Sequence, residues 1–469
     1  MEKTVLPRYG HVLACALLVF SAPSRGDFNE GMSAYKDGDY GSALEIWLPL
    51  AESGDLAAMY NVGVIFDHGL GVQEDKRAAI RWYEQAAESG NVYAQFNLAS
   101  IYDYGDGVPE NNAEAVRWYR LAALQADEES QFNLGVMYGN GEGVAVNHEQ
   151  SLYWYRRSAD LGYTAAQYNI GFAYDRGIGV EEDNVEAFDW YRKAAAGGDA
   201  DAQYAMAVML DEGDGMPVAD AEAAHWYRKA ARLGHRSAQF NLAVMLDAGE
   251  GIPENNVEAL YWYQQAATQG HVGSQINLGI MYEGGEGIAA DLAEAMRWYR
   301  MAADSGSAAA QYAVGILFDT GLGVAEDNIE AASWYRKAAL QGDADAQNNL
   351  GAMFDLGEGV TQDNDAAVYW YTLSAEQGNP IAQNNLGAMY FSGQGVRKSA
   401  VEAYKWFFVA AELGNAMADE NRQKAALNLS DSEINAAHDD AASWLARFGH
   451  ATVTSGVALD TVGASLESP

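Results

Sequence analysis

Tryptophan recurs along this chain with a fixed step: Trp82, Trp118, Trp154, Trp190, Trp226, Trp262, Trp298, Trp334, Trp370 and Trp406 lie 36 residues apart. Tyrosine follows each of them except the last, where Phe407 stands. Glutamines keep the same step from Gln95 to Gln383, and Gly-x-Gly pairs keep it from Gly69/Gly71 to Gly393/Gly395. Self-similarity at one period restricts the chain to building one supersecondary unit many times over. Ten units run from Asp55 to Gly414, and a shorter hairpin with Trp47 stands ahead of them.

The unit at 163–198 shows what each copy is. Ala166, Ile170, Gly171 and Tyr174 fall at i, i+4, i+5 and i+8, an apolar stripe on one helix face with a small residue where two backbones approach. Gly177-Ile178-Gly179 stops that helix and turns the chain, since glycine accepts positive φ without steric cost. A second helix opens at Asp183, carries Ala187, Trp190, Tyr191, Ala194 and Ala195 at helical spacing, and ends at Gly197-Gly198. Its start is signalled in nearly every copy: Asp75, Asn111, Asn147, Asp183, Asn255, Asp291, Asp327, Asp363 and Ser399 occupy the cap position, which only Ala219 breaks. Glu or Gln follows three residues later in most copies, the pattern of a reciprocal capping box. Two short helices cannot bury their own apolar faces, so neighbouring hairpins must stack, with Trp and the Ala pairs at the seams. The tryptophans are therefore read as structural.

Beyond Gly414 the period fades. Met417 to Leu427 reads as one more first helix, and Ser430 with Glu433 opens an amphipathic helix containing Ile434, Ala437, Ala441, Trp444 and Leu445, suited to closing the open end of the array. Residues 449–469 are small and polar and are expected to be a disordered tail. At the other end, Lys3 and Arg8 precede an apolar run from Val12 to Phe20 with small residues behind it, so 1–26 is expected to be a signal peptide. The organisation expected is thus signal peptide 1–26, hairpin 27–54, repeats 55–414, capping helices 415–448 and tail 449–469. The single cysteine, Cys15, lies inside the apolar run, so the mature chain has no disulfide and no thiolate site.

Composition narrows the partners. Asp and Glu number 66 against 28 Lys and Arg, a net charge of −38. That field repels nucleic acid and anionic lipid and favours basic partners.

The run Ala166-Gln167-Tyr168-Asn169-Ile170-Gly171, with Tyr174, Gly177-x-Gly179-Val180, Asp183, Ala187, Trp190-Tyr191, Ala194-Ala195 and Gly198, resembles the Sel-1-like repeat family, relatives of the tetratricopeptide repeats. The resemblance covers 55–414 and, more loosely, 27–448. It implies an all-α fold, a right-handed α-solenoid superhelix of helix-turn-helix repeats, acting as an adaptor through a concave groove. Bacterial members are often exported and linked to exopolysaccharide control, envelope assembly or signalling. A cysteine-rich branch associated with β-lactamase activity carries a disulfide in each repeat, which this chain lacks.

If the first helices line the groove, as the tetratricopeptide analogy implies, two columns face it. One contains Tyr60, Phe96, Phe132, Tyr168, Tyr204, Phe240, Ile276 and Tyr312, then Asn348 and Asn384. The other contains Asp67, Asp103, Asp175, Asp211, Asp247, Glu283, Asp319 and Asp355, interrupted by Gly139. Tyr168, Tyr204, Phe240, Tyr312, Asp175, Asp211, Asp247 and Asp319 are the residues expected to hold a protein partner with a basic segment. The alternatives are that the aromatics pack between neighbouring first helices and that the acids bond local backbone.

Chemistry-bearing patterns are otherwise missing from the sequence. His68, His148, His225, His235, His271, His438 and His450 show no metal-binding spacing and read as exposed; His235 and His271 share a repeat position. Gly-x-Gly is not preceded by a strand and lacks the third glycine of a dinucleotide loop. The chain is read as a non-enzymatic, exported (periplasmic or secreted) scaffold without cofactor or metal. A glycan-binding or polysaccharide-assembly component is the second class, and a β-lactamase-like hydrolase a remote third.

Overall fold

In a computed structural model, residues 25–455 are described, and those residues form twenty-four α-helices and no strand. The expected signal peptide lies outside the described residues but for its last two, as does 456–469 of the expected tail. Among the described residues no helix is long and apolar enough to cross a membrane. An opening hairpin, α1 (Arg25–Lys36) and α2 (Tyr40–Glu52), precedes twenty helices that alternate as first and second members of ten hairpins, α3 (Leu56–His68) to α22 (Ala400–Glu412). Two terminal helices follow, α23 (Ala418–Ala426) and α24 (Asp431–Ser455). The chain divides into two compact units, 25–238 with 250–252 and 239–249 with 253–455 as far as the residues are described.

Each hairpin is closed by the same two devices. First helices end on a glycine in the left-handed region, as at Gly69 (φ 61°), whose N–H donates to the Ile65 carbonyl. The amide of the second-helix cap residue then donates to a first-helix carbonyl nine residues back: Asp75 to Phe66, Asn111 to Tyr102, Asp183 to Tyr174, Asp291 to Tyr282, and Ala219 to Leu210 where the side-chain cap is missing. This corrects the expected reciprocal box. The cap side chains accept as anticipated, Asn111 from the Glu114 amide and Asp291 from the Glu294 amide. The returning arm is not made, because the donor it would serve is already bonded across the turn. Ser430 and Glu433, with no such turn before them, do bond reciprocally.

Between hairpins of one unit the seam is built from small side chains. Ala94, Ala122, Ala166, Ala194 and Ala202 are fully buried in the first unit, as are Ala266, Ala302, Ala310, Ala338 and Ala346 in the second. The glutamine column pins neighbours together: Gln95, Gln131 and Gln203 donate to Ala87, Ala123 and Ala195 carbonyls of the preceding second helix, and Gln275, Gln311 and Gln347 do likewise with Ala267, Ala303 and Ala339. Most of the repeat tryptophans are buried at this seam, Trp118 and Trp334 at 3–4% exposure, and Lys337 Nζ lies 3.3 Å above the Trp334 ring. In α24, Ala437 and Ala441 are buried, and Trp444 meets Trp406 edge-on at 5.8 Å. That helix continues to Ser455, so the boundary expected at 448 falls inside it; no proline stands there to end it.

Candidate functional site

Within each unit the first helices carry both columns. The aromatic column is half-buried. Tyr168 packs on Tyr191 at 5.5 Å between ring centroids, Tyr204 on Tyr227 at 5.9 Å, Phe240 on Tyr263 at 6.0 Å and Tyr312 on Tyr335 at 5.8 Å. Several also touch the start of the next first helix, Tyr204 meeting His235 and Phe240 meeting His271, each at 4.3 Å. Phe132, closed in by Tyr155 and Tyr163, is 2% exposed. The column thus serves packing along its back while most of its members keep an edge toward solvent.

The acidic column has a partner that the sequence reading did not name. In most repeats the tyrosine after the tryptophan reaches back across its own hairpin and donates its hydroxyl to the acid 16 residues earlier: Tyr191 to Asp175 (3.5 Å), Tyr227 to Asp211 (3.1 Å), Tyr263 to Asp247 (3.4 Å), Tyr299 to Glu283 (2.7 Å) and Tyr335 to Asp319 (3.0 Å). A glycine makes room beneath the rings of Tyr191, Tyr299 and Tyr335, where a methyl at Gly171 would stand 2.7 Å from Tyr191 Cδ1; Ala207 and Ala243 hold the equivalent places at Tyr227 and Tyr263. The signal was present in two exceptions. Tyr155 faces Gly139 and its buried hydroxyl has no hydrogen-bond partner, while Phe407, which needs none, faces Phe391. Burial first and the neighbouring carboxylate second hold Tyr191, Tyr263, Tyr299 and Tyr335 far above the ordinary tyrosine range. Burial, then Glu286, raises the Asp247 carboxyl.

Glu283→Ala should cost about 2 kcal/mol in urea unfolding, because it leaves the Tyr299 hydroxyl buried and unpaired. Adding Tyr299→Phe should recover much of that loss, as the last hairpin does naturally with Phe391 and Phe407. Losses that simply add would rule out the coupling.

In the first unit the face opens into a groove of about 700 Å³ along α3, α5 (Val92–Tyr104) and the start of α7 (Glu128–Asn140), lined by Tyr60, Asn61, Asp67, Phe96, Asn97 and Tyr104 among others. Asn61 and Asn97 belong to a third column, continued by Asn133, Asn169, Asn241, Asn277, Asn349 and Asn385, that the same 36-residue step would have revealed. Two histidines also differ from expectation. His235 and His271 are half-buried caps of α13 (Arg236–Ala248) and α15 (Val272–Gly284), each accepting a backbone amide on Nδ1, which explains their shared position. Burial lowers the His235 pKa, in keeping with a neutral acceptor. His68, His148, His225 and His438 are exposed. Among the described residues no group of three metal-ligating side chains converges.

Comparison with known proteins agrees with this architecture. The Sel1 repeat model matches ten consecutive windows of 36 residues, from 56–91 to 380–415. The chain is similar to a protective antigen of uropathogenic Escherichia coli that displays an SLR fold, at 32% identity and TM-score 0.60, over 90% of this chain and 99% of that one. It is also similar to a Sel1 repeat protein from Oxalobacter formigenes, at 32% identity and TM-score 0.45, over 52% of this chain and 96% of that one. No curated protein matches.

Proposed function

The chain belongs to the Sel1-repeat family, whose members generally act as non-catalytic protein-interaction scaffolds, and from that membership we propose that its first-helix face holds a basic segment of another protein. The observation that carries this reading is the pairing of half-exposed aromatic edges with carboxylates on one face, in a chain of net charge −38. Such a face supplies apolar anchors beside negative charge, which is what an extended segment bearing Lys or Arg between apolar residues requires. The apolar run from Val12 to Phe20 behind Lys3 and Arg8, of the kind expected of a signal peptide, supports an exported protein, periplasmic or secreted. A role in envelope signalling or exopolysaccharide production is the process this reading favours.

The test is capture of envelope proteins by the tagged chain after gentle crosslinking. Asp211, Asp247 and Asp319 are changed together to Asn, which keeps an acceptor for each tyrosine hydroxyl. One protein enriched by the wild type and lost by the variant, with release by moderate salt, is the expected result. Equal capture by both would overturn the acidic-face reading. Retention of polysaccharide in place of protein would move the assignment to glycan binding.

A further inference from the structure

One lysine of this chain already sits on the acidic column. Lys76, the first residue of α4 (Lys76–Glu88), places Nζ 2.9 Å from Asp67 Oδ1 and 2.7 Å from Asp106 Oδ2. Asp67 comes from the first helix of its own repeat, and Asp106 is the middle residue of the next repeat's Gly105-Asp106-Gly107 turn. The turn lies there because its second glycine packs on the first residue of the preceding second helix. A methyl on Gly107 would overlap the Lys76 side chain.

The same packing recurs down the array: Gly251 lies against Asp220, Gly287 against Asn256 and Gly359 against Asn328. It brings Glu250, Glu286 and Glu358 to the place of Asp106, opposite Asp211, Asp247 and Asp319. At these pairs the residue in the place of Lys76 is Asp220, Asn256 or Asn328, with no ammonium to offer. Among the described residues no cation of the chain is bonded to any of the three pairs, whereas Arg176 Nε already lies 3.3 Å from Asp175.

We infer that the pair Asp211/Glu250 in the first unit, and the pairs Asp247/Glu286 and Asp319/Glu358 in the second, are seats for lysine ammonium groups of a bound segment, each filled as Lys76 fills Asp67/Asp106. This rests on the proposed face and adds what it selects. Two carboxylates converging from different elements suit a compact ammonium with three donors; the planar guanidinium fork pairs best with a single carboxylate. In the second unit the Asp247 and Asp319 seats lie two repeats apart. An extended chain rises about 3.3 Å per residue, so the lysines that fill both lie several residues apart in the bound segment.

The probe is an unstructured synthetic peptide with lysine at every third position, followed by fluorescence anisotropy at low salt on the full chain. Asn256→Lys with Asn328→Lys should fill two seats from within, as Lys76 does, and weaken the peptide by roughly fivefold or more. Val257→Lys with Ile329→Lys is the control, adding the same charge at neighbouring exposed positions. Lys76→Met should open one more seat and tighten binding. Circular dichroism melting confirms that every variant is folded. Equal weakening by the seat pair and the control, or equal affinity for an arginine peptide, would overturn the seats and leave the basic-segment reading standing. Failure of the wild type to bind either peptide would remove both.

Discussion

Raising the pH past 10 should unfold this protein over a narrow interval, with tyrosinate absorbance appearing only as helical ellipticity is lost. The cause is the row of buried tyrosines. In the second unit Tyr263, Tyr299, Tyr335 and Tyr371 are 0–3% exposed, and burial first and a facing carboxylate second hold all four well above the ordinary value of 10.0. The unfolded chain surrenders these protons near that ordinary value while the folded chain keeps them. A group whose pKa is raised by folding contributes stability that is complete below the unfolded pKa and is lost as pH climbs toward the folded one. Each such tyrosine therefore removes about 1.4 kcal/mol per pH unit above 10, and four together remove roughly 5–6 kcal/mol per unit. Domain stabilities are about 5–15 kcal/mol, so roughly two pH units suffice. Tyr299→Phe should soften the slope by about one tyrosine's share. Gradual ionisation near pH 10 with the helices intact would show that the hydroxyls are open to solvent, and the tyrosine–carboxylate pairing would fall with them.

That pairing marks where the sequence stopped being legible. Everything carried by local spacing could be read: the helix starting at Asp183, the stop at Gly177, the fixed step of Trp190 and its equivalents. Residues whose partners lie on the other helix of the hairpin could not. Asp175 reads as a partner-facing acid or a local backbone acceptor because its donor, Tyr191, is 16 residues on, in the other helix of the hairpin. The reciprocal cap failed for a similar reason, since the Asp183 amide is committed to the Tyr174 carbonyl by the shape of the turn. His235 and His271 looked solvated because a histidine cap has no pattern beyond its place in the repeat, although that place was the clue. The aromatic column divides between the two readings: Phe132 is core, while Tyr168, Tyr204, Phe240 and Tyr312 keep an edge at the surface. Half-burial is a property of neighbours in space, and no residue type encodes it.

The turn that builds the lysine seats should also be the least tolerant point in the repeat. Gly359 (φ 66°) and Gly342 (φ 98°) both hold backbone conformations that favour glycine, and a sequence reading treats them alike. Their surroundings separate them. A methyl on Gly359 would overlap the carbonyl of Asn328 at the first turn of α18 (Asn328–Leu340), a backbone atom fixed within its helix, whereas a methyl on Gly342 meets nothing within 4 Å. Gly342→Ala should therefore cost only the left-handed strain, about 1–2 kcal/mol, and Ala126, with φ 64° at the equivalent position, shows that the chain already accepts it. Gly359→Ala adds to that strain a displacement of one hairpin against the next, for a total of about 3–5 kcal/mol. Urea unfolding followed by circular dichroism separates the two, and hydrogen exchange should place the Gly359→Ala loss in α18 and α20 (Asn364–Glu376), the second helices on either side of the turn. Equal losses would mean that conformational strain alone sets the requirement for glycine. In that case the close approach of turn to helix, which brings Glu358 opposite Asp319, would not be what the second glycine preserves.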